Sequence, residues 1–454
     1  MLTVLLGLIG LSIVVIIHEF GHFLAARALG VEVETFSIGW GPRLFGFRKN
    51  GTEWRISAFP IGGFCRMKGE EDFKTALEKK LPHIPAEKGS FYGATPWRRI
   101  LILVSGPISN VIFAIIMFSI VSFVGMTIQT APNKIVLASD MASVSSAQEK
   151  APADSAGLLS GDVITAIDGK PVRDYSDLQE MIGLNPGKRL SLYVERNGSP
   201  LEIPITPRLD KNSGQGLIGI YAWVNPVVSS VDPQGPAAIA GVRKGDIISA
   251  INDKPIANTI ALLTALESKP ENIVLTVLRD GQPLTLRLVL SFAGNSQSNL
   301  GISFASISRT DKASSLFDAM AKGGKETYST FMMTAKGIGL LFSGVNVLKA
   351  VSGPARITYL IGSTAQESIH ASGFSGIPTI MSFLAFLSIS LFLMNLLPIP
   401  ALDGGQIVLS LVEIIKRKPL LTKTIYRFQF VGAAMIIALF FLATFSDVLF
   451  FAGK

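Results

Sequence analysis

Four long apolar runs set the pattern of the chain, and polar stretches separate them. A helix needs about 20 mainly apolar residues to cross a bilayer. The runs at 1–26, 100–125, 378–405 and 428–450 meet or approach that length. The pattern therefore predicts four membrane-spanning helices. The first run has no basic segment before it, which argues against a signal peptide.

Lysine and arginine are concentrated in two of the segments between the spans, 27–99 and 406–427. Such residues mark the cytoplasmic side of a membrane protein. We therefore expect both segments in the cytoplasm, and the long 126–377 region outside it, which in a bacterium is the periplasm. The predicted location is the bacterial cytoplasmic (inner) membrane, which the chain crosses several times.

The segment from Phe36 to Met67 lacks a long apolar run and is broken by glycines. Alternating stretches such as TEWRISAFPIGGF are typical of strands and turns. Because this segment follows the first span closely, we predict a membrane-associated β-region within 27–99 that lies against that span.

Two stretches of the external region match each other without gaps. One begins at Ala151 (APADSAGLLSGDVITAIDGKPV) and the other at Gln234 (QGPAAIAGVRKGDIISAINDKPI). A repeat of this kind predicts two copies of one domain, at 126–222 and 223–309. The shared pattern A-G-(L/V)-x-x-G-D-x-I-x-x-I resembles PDZ domains in the permuted form of bacterial proteases.

PDZ domains bind an extended peptide by adding it as a strand to a sheet edge. Two interpretations of the copies stay open: they bind peptide, or they act as spacers or a steric screen. Between the copies and the third span, residues 310–377 are predicted to form amphipathic helices at the membrane surface. They include an uncharged stretch too short to span, 337–348 (GIGLLFSGVNVL).

Composition agrees with a membrane protein and narrows the choice of partners. Of the 454 residues, 48% are hydrophobic and 16% are charged, whereas soluble domains carry about 25% charge. The net charge is +8, but the sequence has no basic block interleaved with aromatic residues, so no nucleic-acid partner is predicted. The predicted partner is the lipid bilayer, because basic residues commonly flank membrane spans. Cys65 is the only cysteine, which excludes an intramolecular disulfide.

The first span ends in the ionisable sequence HEFGH, residues 18–22. On a helix His18 and His22 share one face, and Glu19 lies next to them. In this H-E-x-x-H arrangement two imidazoles bind zinc and the glutamate serves as general base. Ionisable residues within a span are costly, so a functional role is their default interpretation. The sequence therefore predicts a zinc site in this helix.

A catalytic zinc ion needs three protein ligands and an open position. The other histidines, His83 and His370, lie in a charged loop and just before the third span, where surface histidines are expected. Asp403 is the only carboxylate between Glu367 and Glu413, in the sequence NLLPIPALDGG after the third apolar run. Asp403 and HEFGH fall at the cytoplasmic ends of their spans, so Asp403 is the favoured third ligand.

HEFGH in the first span, combined with N-x-x-P-x-P-x-L-D-G-G in a late one, resembles the site-2 protease family of intramembrane zinc metalloproteases. Four spans with two PDZ-like copies between the second and third are similar to the branch that contains the bacterial regulator of sigma-E protease. The sequences SGPISN (105–110), ETFSIGWGPRLFGF and WRISAFPIGGF also look like family features. The resemblance covers essentially the whole chain.

The resemblance implies a role for each matching residue. His18, His22 and Asp403 would bind one Zn²⁺ per chain. Glu19 would activate water, and Asn395 would contact the substrate backbone or the oxyanion. The substrate-binding residues of the β-region would be Ile56, Phe59, Gly62 and Gly63.

The implied substrates are single-span membrane proteins already cut on the outside, such as an anti-sigma factor, and remnant signal peptides. The implied process is regulated intramembrane proteolysis in an envelope stress response. Two other functions stay open, a non-catalytic membrane PDZ adaptor with a structural metal site and a metal transporter. Glu19 is present, which disfavours the adaptor, and the repeat lies outside the membrane, which disfavours the transporter.

Overall fold

A computed structural model describes residues 2–141, 150–211, 213–267, 272–289, 300–340 and 352–452. The chain forms two compact units. One consists of Met1–Met126 together with Asp311–Lys454, and the other of Thr127–Thr310.

The helices and strands follow in chain order. The N-terminal part forms α1 (Leu2–Ala28), β1 (Val33–Lys49), β2 (Thr52–Met67), α2 (Glu70–Glu78) and α3 (Pro96–Val124). The first half of the middle part forms β3 (Met126–Thr130), β4 (Ile135–Leu137), α4 (Pro152–Ala156), β5 (Val163–Ile167), β6 (Lys170–Pro171), α5 (Tyr175–Gly183), β7 (Leu190–Arg196), β8 (Ser199–Ile205), β9 (Arg208–Leu209), β10 (Gly216–Leu217) and β11 (Ile220–Ala222). Its second half forms β12 (Val228–Val231), α6 (Pro236–Ile239), β13 (Ile247–Ile251), β14 (Lys254–Pro255), α7 (Thr259–Leu266), β15 (Asn272–Arg279), β16 (Gln282–Val289), β17 (Ile302–Phe304) and β18 (Ile307–Asp311). The C-terminal part forms α8 (Leu316–Leu340), α9 (Pro354–Ser372), α10 (Ile377–Leu396), α11 (Asp403–Lys416) and α12 (Thr422–Ala452).

Four helices, α1, α3, α10 and α12, are long and apolar enough to cross a membrane. Their composition confirms the prediction of four candidate spans. On α12 large apolar side chains such as Phe430, Ile437 and Phe441 remain exposed. An apolar exterior of this kind is costly in water and suits contact with lipid.

The third span is shorter than predicted. The sequence-based boundary was residue 405, but α10 ends at Leu396 and residues 397–402 are not helical. Pro398 and Pro400 lack the N–H group that a continuing helix needs, which explains the break. The predicted loop 406–427 is also largely helical, because α11 and the start of α12 occupy most of it.

Helices α8 and α9 pack directly against the candidate spans. A Cβ added at Gly362 of α9 would lie 1.7 Å from the backbone oxygen of Thr3, and one at Gly323 of α8 would lie 2.2 Å from Ser119 Oγ on α3. Small residues at both crossings therefore allow close approach. The surface position predicted for 310–377 stays a prediction, and the part of the uncharged stretch from 341 onward lies outside the described residues.

The predicted β-region forms an irregular antiparallel sheet from β1 and β2. The chain folds back so that Thr35 pairs with both Glu53 and Arg66, and the two ends of β2 flank the first half of β1. Gly63–Met67 therefore forms one edge of the sheet. Large apolar side chains of the hairpin stay exposed: Trp40, Leu44, Phe45, Phe47, Ile56 and Phe59.

The two sequence repeats adopt the same arrangement. Each has a four-stranded sheet, with the order β6-β5-β7-β8 in the first and β14-β13-β15-β16 in the second. Each also buries an aspartate in a two-pronged contact with an arginine, Asp162 with Arg196 and Asp246 with Arg279. Separate apolar cores form around Ile164 and Leu192 in the first repeat and around Ile248 and Leu275 in the second.

Candidate metal centre

Helix α1 places two histidines side by side within the protein. His18 and His22 are four residues apart, share one helix face and are both 6% exposed. Their Nε2 atoms lie 3.2 Å apart. Two imidazole nitrogens therefore point to the same place.

Asp403, the first residue of α11, reaches this place from the other end of the chain. Its Oδ2 lies 3.1 Å from His18 Nε2 and 3.3 Å from His22 Nε2. The three ligand atoms all lie within 4.8 Å of one another. The structure thus brings together the three residues that the sequence analysis selected as metal ligands.

The glycines after Asp403 are required by the tight path of the chain. A Cβ at Gly404 would lie 2.3 Å from the Leu397 oxygen, and one at Gly405 would lie 2.3 Å from the Ile399 oxygen. No real Cβ approaches backbone so closely, so the break between α10 and α11 needs glycine at both positions. The other two histidines lie elsewhere, His83 beside the Leu420 oxygen and His370 beside the Gln366 oxygen.

The donor set fits a zinc ion. His22 Nδ1 lies 2.8 Å from the backbone oxygen of Ile102, which can only accept, so Nδ1 carries the proton and Nε2 presents its lone pair. Asp403 Oδ2 is buried and takes part in no hydrogen bond with the residues that the structure describes. Such an orphaned oxygen facing two imidazole nitrogens is costly by itself and is satisfied by a cation. Two imidazoles and a carboxylate are a ligand set of catalytic zinc sites, in which a fourth position stays open.

Glu19 and Asn395 face the same cavity as the three candidate ligands. The cavity has a volume of about 530 Å³. Glu19 Oε2 accepts a hydrogen bond of 3.0 Å from the backbone N–H of Cys65 on the β2 edge. Asn395 Nδ2 lies 3.5 Å from His18 Nε2. A carboxylate and an amide are therefore available to a molecule bound beside the candidate ligands.

The β-region contributes to the cavity only in part. Gly62 and Gly63 line it, whereas Ile56 and Phe59 do not and are exposed elsewhere on the hairpin. Sequence reasoning missed several lining residues. Trp40 lies between two glycines in the quoted ETFSIGWGPRLFGF, and this large aromatic residue in a glycine-rich stretch could have been selected from sequence as a site residue. The missed residues are Leu11, Val15, Trp40, Cys65, Met67, Leu103, Leu391, Ala401 and Leu402.

The SGPISN sequence of α3 packs against α1 close to the metal centre. A Cβ at Gly106 would lie 2.3 Å from His22 Nε2, and one at Gly21 would lie 2.3 Å from the Ser105 oxygen. The hydroxyls of Ser105 and Ser109 donate to the backbone oxygens of Gly21 and Ile17. Small side chains thus let α3 approach α1 closely beside the histidines.

Comparison with known proteins agrees with this geometry. Residues 6–439 match the family model described as peptidase family M50. The chain belongs to peptidase family M50. This M50 peptidase is 38% identical over 451 residues to a protein of Treponema pallidum (strain Nichols) named "Putative zinc metalloprotease", with 99% of each chain covered. It is 30% identical over 450 residues to a Borreliella burgdorferi protein of the same name, with 98% of each chain covered.

These matches confirm two sequence-based predictions, that the protein is a zinc metalloprotease and that its cofactor is Zn²⁺. The site-2 protease resemblance is confirmed at the level of the family, M50. Membership of a peptidase family also removes support from the adaptor and transporter interpretations.

Proposed function

We propose that this M50 peptidase hydrolyses peptide bonds within the membrane-spanning segments of single-span proteins. One observation carries the proposal. Ligand atoms of His18, His22 and Asp403 converge within 4.8 Å, and two of these residues lie on a helix that is long and apolar enough to span a membrane. A hydrolytic centre on such a helix is within reach of peptide bonds in a neighbouring membrane helix.

His18, His22 and Asp403 would hold the zinc ion. When bound, zinc supplies Lewis acidity to water and to the scissile carbonyl. Glu19 would take the proton of the attacking water and deliver it to the leaving amine. The Cys65 N–H keeps one carboxylate oxygen of Glu19 in place, which leaves the other oxygen to accept the proton.

Asn395 would bind the substrate next to the reacting bond. Its amide lies beside His18 and faces the cavity. An amide N–H donor at this position would orient the substrate backbone or stabilise the oxyanion that forms during attack.

The edge of β2 would receive the substrate as an added strand. A helix hides its scissile carbonyl in hydrogen bonds to residues four positions away, so the substrate has to unwind. Gly63 lies on the Gly63–Met67 edge and lines the cavity, so an extended segment paired along this edge would replace the lost hydrogen bonds. Ile56 and Phe59, which lie off the cavity, would contact the substrate only before it reaches the centre.

The two repeats would act as PDZ domains on the periplasmic side. The first repeat has an apolar groove of about 280 Å³ between α5 and residues 216–221, which include β10 and the start of β11. A groove of this form suits an extended peptide. Alternatively, the same domains would act as a size filter that admits only proteins already trimmed outside the membrane. Anti-sigma factors and remnant signal peptides are the proposed substrates, in regulated intramembrane proteolysis under envelope stress.

The test compares cleavage of a single-span substrate by the wild type, Glu19→Gln and Glu71→Gln. Glu71 is exposed on α2 and controls for the loss of one charge. We expect Glu19→Gln to keep its zinc and to lose cleavage by about a thousandfold, the scale of a lost general base, while Glu71→Gln stays active. Equal cleavage by all three proteins would reject the proposed role of Glu19, and no cleavage by any zinc-loaded protein would reject the proposed substrate class.

A further inference from the structure

Asn110 on α3 is a fully buried polar residue that touches a candidate metal ligand from behind. Its side-chain nitrogen, Nδ2, lies 3.2 Å from His18 Nδ1, the ring nitrogen on the side away from Asp403. Asn110 is 0% exposed, and its Oδ1 has no hydrogen-bond partner within the described part of the chain. A buried amide oxygen without such a partner, in a side chain that contacts a candidate ligand histidine, needs an explanation.

The chemistry of His18 supplies the explanation. To bind zinc through Nε2, a neutral imidazole must carry its proton on Nδ1 and donate it to an acceptor. The amide N–H₂ of Asn110 cannot accept, but its Oδ1 can. The two ends of an amide have nearly the same shape, so a half-turn of the amide places Oδ1 at the His18 contact. That turn pairs the orphaned oxygen and leaves the His18 Nε2 lone pair free.

The other histidine has the same kind of partner on the same helix. His22 Nδ1 lies 2.8 Å from the backbone oxygen of Ile102. Ile102 and Asn110 are about two helical turns apart, so both face α1. Helix α3 thus offers one acceptor to each imidazole.

Asn110 is also held rigidly enough to orient a ring. Ser388 of α10 is fully buried, and its Oγ donates a hydrogen bond of 3.0 Å to the Asn110 backbone oxygen. The Asn110 side chain therefore starts from a backbone that α10 fixes against α3.

We propose that Asn110 is a positioning residue of the metal centre: its side-chain oxygen accepts a hydrogen bond from His18 Nδ1–H and so aims His18 Nε2 at the metal. The inference rests on the proposed function, since it takes His18 as a zinc ligand. Partners of this kind commonly contribute about 10- to 100-fold to metal affinity.

The test measures zinc binding directly, in the purified full chain in detergent. Zinc affinity and the rate of zinc loss to an excess of chelator are compared for the wild type, Asn110→Leu, Asn110→Asp and Ser109→Ala. Leucine has a similar size and no acceptor, whereas aspartate keeps one. Ser109→Ala removes a neighbouring hydrogen bond between the same two helices without touching either ring. Asn110→Ala replaces the leucine variant if that variant does not fold.

We expect Asn110→Leu or Asn110→Ala to lower zinc affinity by about 10- to 100-fold. Asn110→Asp and Ser109→Ala should stay within about threefold of the wild type, a spread small beside the predicted loss. Wild-type affinity in Asn110→Leu, or an equal loss in Asn110→Asp or Ser109→Ala, would overturn the positioning role. His18→Ala distinguishes the two proposals, because undiminished zinc binding in that variant would overturn the metal centre itself.

Discussion

The orientation of the two histidines depends on contacts made behind their rings. The Ile102 oxygen fixes the His22 ring through a contact with Nδ1. On the other side of the ring, Gly106 has no side chain and so leaves the space that the ring occupies. Both contacts come from α3, which is far from HEFGH in sequence. The metal centre is therefore a property of two packed helices as well as of a motif.

Gly106→Ala tests this dependence. The added Cβ would lie 2.3 Å from His22 Nε2, so the ring has to move or the helices have to separate. We expect zinc content and cleavage to fall at least about tenfold, because overpacking of this kind costs about 1–3 kcal/mol. Zinc analysis and a cleavage assay on the same preparation measure both effects.

Gly324→Ala is the matched control for Gly106→Ala. An added Cβ at Gly324 on α8 would meet no atom of the described ranges within 4 Å, so alanine is accommodated and favours the helix. Normal zinc content in Gly106→Ala would contradict the steric argument. Equal losses in both variants would point to a general sensitivity of the helices to substitution.

The candidate metal ligands and Glu19 were predictable from sequence, but the residues that contact the ligands from behind were not. His18, Glu19 and His22 lie within one helix, where spacing alone fixes their relative positions. Asp403 could be selected because few carboxylates occur near it in sequence. The contact between Asn110 and His18 could not be predicted, because it depends on how two helices pack and no periodicity encodes that.

At the scale of elements, the two repeats depend on a buried aspartate at equivalent positions. The pKa of Asp246 is lowered, chiefly by hydrogen bonds from Arg279 and against the effect of its own burial. A carboxyl whose pKa is lowered on folding stabilises the fold above its ordinary pKa. That stabilisation is lost as the pH falls through the lowered value.

Asp246→Asn should therefore destabilise the second repeat at pH 7 by about 1–3 kcal/mol of unfolding free energy, since charge-assisted hydrogen bonds are lost. The difference from the wild type should shrink as the pH falls below the ordinary aspartate pKa and through the lowered pKa of Asp246. Hydrogen-exchange protection of β15, measured at several pH values, reports the change. Asp162→Asn is the matched control and should weaken β7 instead. A loss in β15 that does not change with pH would contradict the assigned charge state.

The main error of the sequence analysis also belongs to this scale. The third span was assigned to 378–405 because residues 397–402 are apolar, although Pro398 and Pro400 in that stretch prevent regular helix hydrogen bonding. The prolines ended the helix at Leu396, and the glycines after Asp403 allowed a new helix to start at once. Hydropathy reports burial in lipid, whereas backbone chemistry decides where a helix stops.

At the scale of the whole molecule, the proposed size filter predicts selection by what a substrate carries outside the membrane. Two substrates with the same membrane segment are compared, one with a folded external domain and one trimmed to a short tail. We expect the trimmed substrate to be cleaved at least about tenfold faster, since a steric clash of a few kcal/mol excludes the other. Rates measured on purified protein in liposomes test this.

Equal rates for the two substrates would reject the filter and favour peptide binding by the repeats. Addition of a free peptide that fills the groove of the first repeat is an independent test that distinguishes peptide binding from a passive screen. If the repeats bind peptide, the added peptide should inhibit cleavage of the trimmed substrate. If they are a passive screen, it should not change the cleavage rate.

The placement of His18 near one end of the chain and Asp403 near the other has a topological consequence. A metal ion held by both would close almost the entire polypeptide, including both repeats, into a ring. Like a disulfide across a long loop, such a link restricts the unfolded chain more than a local one does. Zinc would then hold distant parts of the chain together. Chelation would open the fold at α11, where a protease added to the purified protein should cut first.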